Sequence, residues 1–178
     1  MMLLRYFALL STVTVALLTA PGISSGIAPT VTANADSGSV WQGDWDTAME
    51  IARTQKKPVV VDFHTKHCGS CKAMHKYTFT DSEVKKRLAA DWICISVNTA
   101  HGWKTGTWEG KSLPYNKLAK HFRVKGVPTY LFIDSDGKAV QAVVGFKEKE
   151  LFCDILDFLS ERAYEEGVTF ADFKESRK

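Results

Sequence analysis

Apolar residues recur at helical spacing between Asp44 and Lys57, where Trp45, Ala48, Ile51 and Ala52 share one face and Asp44 or Asp46 is placed to cap the first turn. Pro58 stops that segment, and "VVVDF" from Val59 is a short β-branched run of the kind that forms a strand covered on both faces. A helix start falls at Cys68 and continues through Lys72 to Thr78, and Asp81 or Ser82 caps a further helix through Leu88 and Ala89. "WICISV" from Trp92 is the second strand. From Asn98 to Ser112, glycines and threonines alternate with Trp103 and Trp108, which predicts a long loop.

Leu113 to Phe122 reads as a helix, "TYLFI" from Thr129 as a strand, "DSDG" as a hairpin turn and "KAVQAVVG" as the returning strand. Leu151, Phe152, Ile155, Leu156 and Leu159 draw an apolar stripe along a last helix, with Cys153 expected on its polar side. The tail from Glu165 to Lys178 is polar enough to fray. Parallel strands need crossover connections, so this order of elements predicts an α/β domain with a mixed central β-sheet and helices on both faces.

The 178 residues are 45% apolar and 24% charged, which suits one globular domain. Arg5 followed by the apolar run Tyr6 to Ala20, then "TANAD" with Ala33 and Ala35 in a small-x-small pattern, reads as a signal peptide over residues 1–35. The domain is then 36–178, exported to the periplasm or an equivalent compartment without stable membrane insertion. That segment holds 22 basic and 20 acidic residues, a balance that does not suggest nucleic acid. Export also changes how cysteines are read, because disulfides persist outside the cytosol.

Cys68 and Cys71 stand two residues apart where a buried strand gives way to a helix. The positive end of the helix dipole, with Lys66, His67 and Lys72 nearby, lowers a thiol pKa and makes Cys68 a nucleophile. Cys71, one turn on, is placed to resolve a mixed disulfide. Haem attachment needs His after the second cysteine, where Lys72 stands. A copper- or zinc-handling module that uses the two cysteines with His64, His67 or His75 stays open at this stage, as does a binding-only domain. The Trp103/Trp108 loop is either a docking surface or a lid on the core.

"VVVDFHTKHCGSCK", followed at a distance by "VKGVPTYLFIDSDG", resembles the thioredoxin superfamily over Trp45 to Tyr164. "CKAMHKYTF" and "KYTFTDSEV" are similar to two exported branches, the thioredoxin-like domain that ends the bacterial transmembrane disulfide reductase and the thioredoxin-like protein of sulfur-oxidation systems. The resemblance implies a thioredoxin fold and an oxidoreductase with a redox-active Cys68–Cys71 disulfide. It further implies a cis Pro128 with Val127 holding substrate through its main chain, and Asp62 as a buried acid that moves the proton of Cys71. His67 stands where the superfamily usually has Trp, so it alters the substrate surface. Protein disulfides as substrates, a membrane disulfide reductase as electron donor, a monomer and no organic cofactor or metal complete the expectation. Cys94 in a buried strand and Cys153 on a helix are not expected to pair.

Overall fold

The computed structural model describes residues 39–178. The signal peptide expected over residues 1–35 and its boundary with 36–178 lie outside them.

Strands β1 (Trp41–Gln42), β2 (Val59–His64), β3 (Ile93–Asn98), β6 (Thr129–Ile133) and β7 (Ala139–Val144) form one sheet in the order β1-β3-β2-β6-β7. β1 and β2 run parallel to β3, while β6 is antiparallel to β2 and β7 to β6. Helices α1 (Trp45–Gln55), α2 (Gly69–Ala73), α3 (Ser82–Asp91), α4 (Tyr115–His121), α5 (Lys149–Ser160) and α6 (Phe170–Glu175) complete the architecture. A π-helical turn, Met74–Thr78, continues α2.

Strand alternation divides the core in two. Val59, Val61 and Phe63 of β2 face Trp45, Ala48, Ala52, Tyr115 and Leu118 of α1 and α4. Val60 faces the opposite way, into Met74, Phe79, Val84, Leu88, Tyr130, Phe132 and Phe152. The mixed sheet with helices on both faces is therefore the one expected. Asp44 caps α1 by accepting from the Thr47 N–H at 2.8 Å, and Asp81 accepts from Glu83 N–H at 2.9 Å at the start of α3.

Three segments depart from the sequence reading. The stretch expected to be a loop holds a hairpin of β4 (Thr105–Trp108) and β5 (Lys111–Pro114), closed by Glu109 and Gly110, both at positive φ. Two successive residues at positive φ make the turn whose twist matches a two-residue hairpin. The hairpin takes over the first residues expected of α4, which begins at Tyr115. The tail does not fray: Thr169 caps α6, and Phe173 is buried there against Phe158. Cys153 is half-buried at the edge of the second core rather than on an open polar face.

Candidate active site

Cys68 ends the short connection after β2 and is the N-cap of α2. Its backbone is extended, and its Sγ accepts the N–H of Cys71 at 3.0 Å. A disulfide joins it to Cys71 with the two Cα atoms 5.2 Å apart. Cys71 is buried and Cys68 is half-buried, so the pair is open to solvent from the Cys68 side. The Ser70 Oγ lies 3.4 Å from Cys68 Sγ. Lys66, His67 and Lys72 are exposed around the pair.

Pro128 is cis and buried, and the carbonyl oxygen of Val127 lies 3.5 Å from Cys68 Sγ. The Gly145 N–H donates to the Pro128 carbonyl at 2.8 Å, which brings the segment Gly145 to Lys147 alongside. That segment is tied to the helix carrying the cysteines, because Thr78 Oγ1 donates to the Lys147 carbonyl at 2.7 Å. The main chain just before β6 thus lies against Cys68, and the segment after β7 is tied both to Pro128 and to the π turn that follows the cysteines, with His67 exposed.

Asp62 is fully buried on the β2 face shared with Val60, toward the helix that bears Cys71. Its Oδ2 lies 3.0 Å from His75 Nε2, while Oδ1 is buried without a partner among the described residues. Tyr130, opposite Asp62 on β6, also has a buried hydroxyl without a partner among the described residues, and burial followed by the Asp62 charge pushes its pKa up. His64 Nε2 is 2.9 Å from Ser96 Oγ. Burial lowers the His64 pKa, Asp62 opposes that shift, and His75 and His101 add to it.

The structure brings Cys68, Cys71 and the Val127–Pro128 main chain together, while Asp62 lies buried on the β2 face that looks toward the Cys71 helix and His67 is exposed just before Cys68. His75 is the residue that sequence reasoning did not connect to Asp62. Its one signal was the i,i+4 spacing from Cys71, which puts both on one helix face. Among the described residues no group of three or more His, Cys, Asp or Glu side chains is placed to hold a metal ion. The two tryptophans of the hairpin region separate in role. Trp108 packs edge-on against Trp45 and Phe122, whereas Trp103 is 75% exposed and stacks on His101 with ring centroids 4.3 Å apart.

The sequence pattern of the Thioredoxin-like domain matches residues 45–160. The thiol:disulfide interchange protein DsbD of Actinobacillus pleuropneumoniae is 34% identical over 112 residues, which are 62% of this chain and 18% of that protein. The chain therefore spans about a fifth of that relative's length. Among solved structures, a thioredoxin from Thermus thermophilus superposes with a TM-score of 0.54 at 27% identity, covering 67% of this chain and 85% of that one. A thioredoxin-fold protein from Helicobacter pylori gives a TM-score of 0.61 at 16% identity, covering 79% and 85%, and so is a likeness of fold alone.

Proposed function

This chain belongs to the thioredoxin-like family, and from that premise we propose that it is an exported thiol:disulfide oxidoreductase that reduces protein disulfides. The observation that carries the proposal is the position of Cys68 Sγ, at a helix start, accepting the Cys71 N–H and 3.5 Å from the Val127 carbonyl. A hydrogen bond from a main-chain N–H favours the thiolate of the reduced protein, which is the attacking form.

A substrate strand laid beside Val127 and Pro128 presents its disulfide to Cys68, with His67 contacting it from the exposed side. The Cys68 thiolate attacks one substrate sulfur. A Cys68–substrate disulfide forms, the substrate S–S bond breaks, and the other substrate sulfur leaves as thiolate. Cys71 then gives its proton to Asp62 and attacks Cys68 Sγ. The Cys68–Cys71 bond forms and the second substrate thiolate leaves, so two electrons have passed from the dithiol to the substrate. Oδ1 of Asp62, buried without a partner among the described residues, supports its role as acceptor of that proton.

Resetting the dithiol needs two electrons from outside the chain. A membrane disulfide reductase is the donor this reading names, acting on a monomer in the periplasm without an organic cofactor. The N-terminal pattern Arg5 to Ala35 supports that location, and the name of the A. pleuropneumoniae relative, a thiol:disulfide interchange protein, supports the exchange chemistry. Among the described residues no helix is long and apolar enough to cross a membrane.

The test is a Cys71→Ser protein expressed with its leader. Attack by Cys68 still occurs while resolution is lost, so covalent adducts with substrates and with the donor accumulate in the exported fraction. A variant that forms no adducts yet reduces a model disulfide at the normal rate would overturn the dithiol mechanism.

A further inference from the structure

Resting on the dithiol mechanism above, we propose that His75 is the proton outlet of the site, a positioning residue that empties Asp62 to solvent after Asp62 has taken the proton of Cys71.

Asp62 is sealed: its side chain is 1% exposed, while that of His75, bonded to it at 3.0 Å, is 44% exposed. One end of the imidazole thus touches the buried carboxylate at Nε2, and the ring reaches the surface. Phe79 stands edge-on to the ring with centroids 5.1 Å apart and Trp41 lies at 6.4 Å, so aromatic walls hold it in place. The two carboxylate oxygens have separate surroundings. Oδ2 meets His75, and Oδ1 has no partner among the described residues on the sheet face that looks toward the Cys71 helix. Cys71 and His75 are four residues apart along α2 and the π turn that continues it, hence on the same side of that helix.

A buried acid with no exit for its proton serves once and then stays protonated. The geometry supplies the exit. The Cys71 thiol proton passes to Asp62 as Cys71 attacks Cys68 Sγ. Nε2 of neutral His75 then takes a proton from the Asp62 carboxyl, and the imidazolium releases one to bulk from Nδ1, leaving the Asp62 carboxylate and the Nε2–H tautomer; proton exchange with bulk at the exposed ring restores the Nδ1–H tautomer that takes the next proton. No electrons move in this relay. The charged or titratable groups facing it are Asp62 and His64 on β2 and Tyr130 on β6. Imidazole is the side chain suited to such a shuttle, because it exchanges protons in the range of pH 5–8.

The experiment uses the full reduced domain with 5,5′-dithiobis(2-nitrobenzoate), which yields one thionitrobenzoate when Cys68 attacks and a second when Cys71 resolves. His75→Gln retains a side-chain donor toward Asp62 but cannot shuttle. We expect its first phase to match wild type and its second to slow by about tenfold or more, with imidazole buffer restoring much of the loss. Wild-type resolution should slow as pH falls toward 5, and the His75→Gln profile should be flatter. Thermal unfolding of both proteins checks that the variant is folded. A His75→Gln protein that resolves at the wild-type rate and with the wild-type pH profile overturns the relay and leaves the dithiol mechanism standing. A wild-type protein that never releases the second thionitrobenzoate overturns that mechanism and the relay with it.

Discussion

Trp45 and Gly106 are in direct contact: a Cβ built on Gly106 would fall 2.5 Å from Trp45 Cγ and within 2.9 Å of two further ring carbons. The indole also donates from Nε1 to the Thr107 carbonyl at 2.9 Å, so the hairpin is bolted to a side chain that is itself fully buried. The β4–β5 hairpin is therefore part of the first core and not an appendage of it.

Gly106→Ala should destabilise the domain, because neither the ring nor the strand has room to yield. Overpacking of this kind costs about 1–3 kcal/mol. For a domain of this size that lowers the melting temperature by about 3–9 °C. Gly110→Ala is the control, since nothing stands within 4 Å of its built Cβ and its cost is one of backbone φ alone. An unchanged midpoint in Gly106→Ala by differential scanning calorimetry would show that the hairpin lifts off the core.

What could be read in the chain follows from where burial leaves a local mark. Val59 to Phe63 and Thr129 to Ile133 are buried on both faces, so their apolar runs announce them. In β4 only Gly106 is buried, and a glycine carries no apolar signal, so a strand looked like a loop. In the tail, Phe170 and Phe173 at i,i+3 behind the cap Thr169 were the signal for α6, masked by surrounding polar residues. The Cys68–Cys71 pair lies within one turn of chain and was legible as a pair by spacing, while its reading as a redox disulfide came from the resemblance. The bond between Asp62 and His75 joins a strand to a helix 13 residues on, and only the packing of β2 under the π turn creates it.

Phe173→Ala should cost about 3 kcal/mol, the low end for removing a buried aromatic ring. Its ring sits 5.3 Å from that of Phe158 on α5 and carries the Arg177 guanidinium at 4.7 Å. Loss of the ring frees α6 from α5. Urea unfolding measures the cost, and a midpoint equal to wild type would mean that α6 is dispensable.

The two remaining cysteines should differ in reactivity. Cys94 is buried in β3, and burial pushes its thiol far above the ordinary range. Cys153 is half-buried and its pKa is raised as well, first by burial and only partly offset by Arg87. With the Cys68–Cys71 disulfide intact, iodoacetamide at pH 8 should modify Cys153 slowly and Cys94 only after denaturation. A peptide joining Cys94 to Cys153 in the oxidised protein would contradict this arrangement.

Acid should weaken the fold through His64. Burial holds its folded pKa below the ordinary 6.5. A depressed histidine favours the neutral form in the folded state, so the stability it carries is full above the unfolded value and is lost as pH falls through that value toward the folded one. His64→Gln keeps a partner for Ser96 Oγ and cannot titrate. Between pH 7 and pH 5 the wild-type urea midpoint should fall further than that of His64→Gln, and parallel losses would assign the acid sensitivity elsewhere.

Asp62→Asn separates the needs of folding from those of chemistry. A carboxylate that is fully buried, with one oxygen bonded to His75 and the other without a partner among the described residues, is an expensive group to keep inside a core. An amide of the same shape can still bond to His75 Nε2, accepting through its oxygen or donating through its N–H according to the imidazole tautomer, and carries no charge. If Asp62 served the fold, its replacement would destabilise the protein. On the mechanism argued above it serves the resolving step, so Asp62→Asn should melt at or above the wild-type temperature while the second thionitrobenzoate phase slows by about two orders of magnitude, the usual range for removing a general base. The first phase, which depends on Cys68 alone, should change little. A stabilised variant with a slow second phase identifies the buried acid as a cost in stability that catalysis maintains. A destabilised variant with both phases intact would return Asp62 to the scaffold.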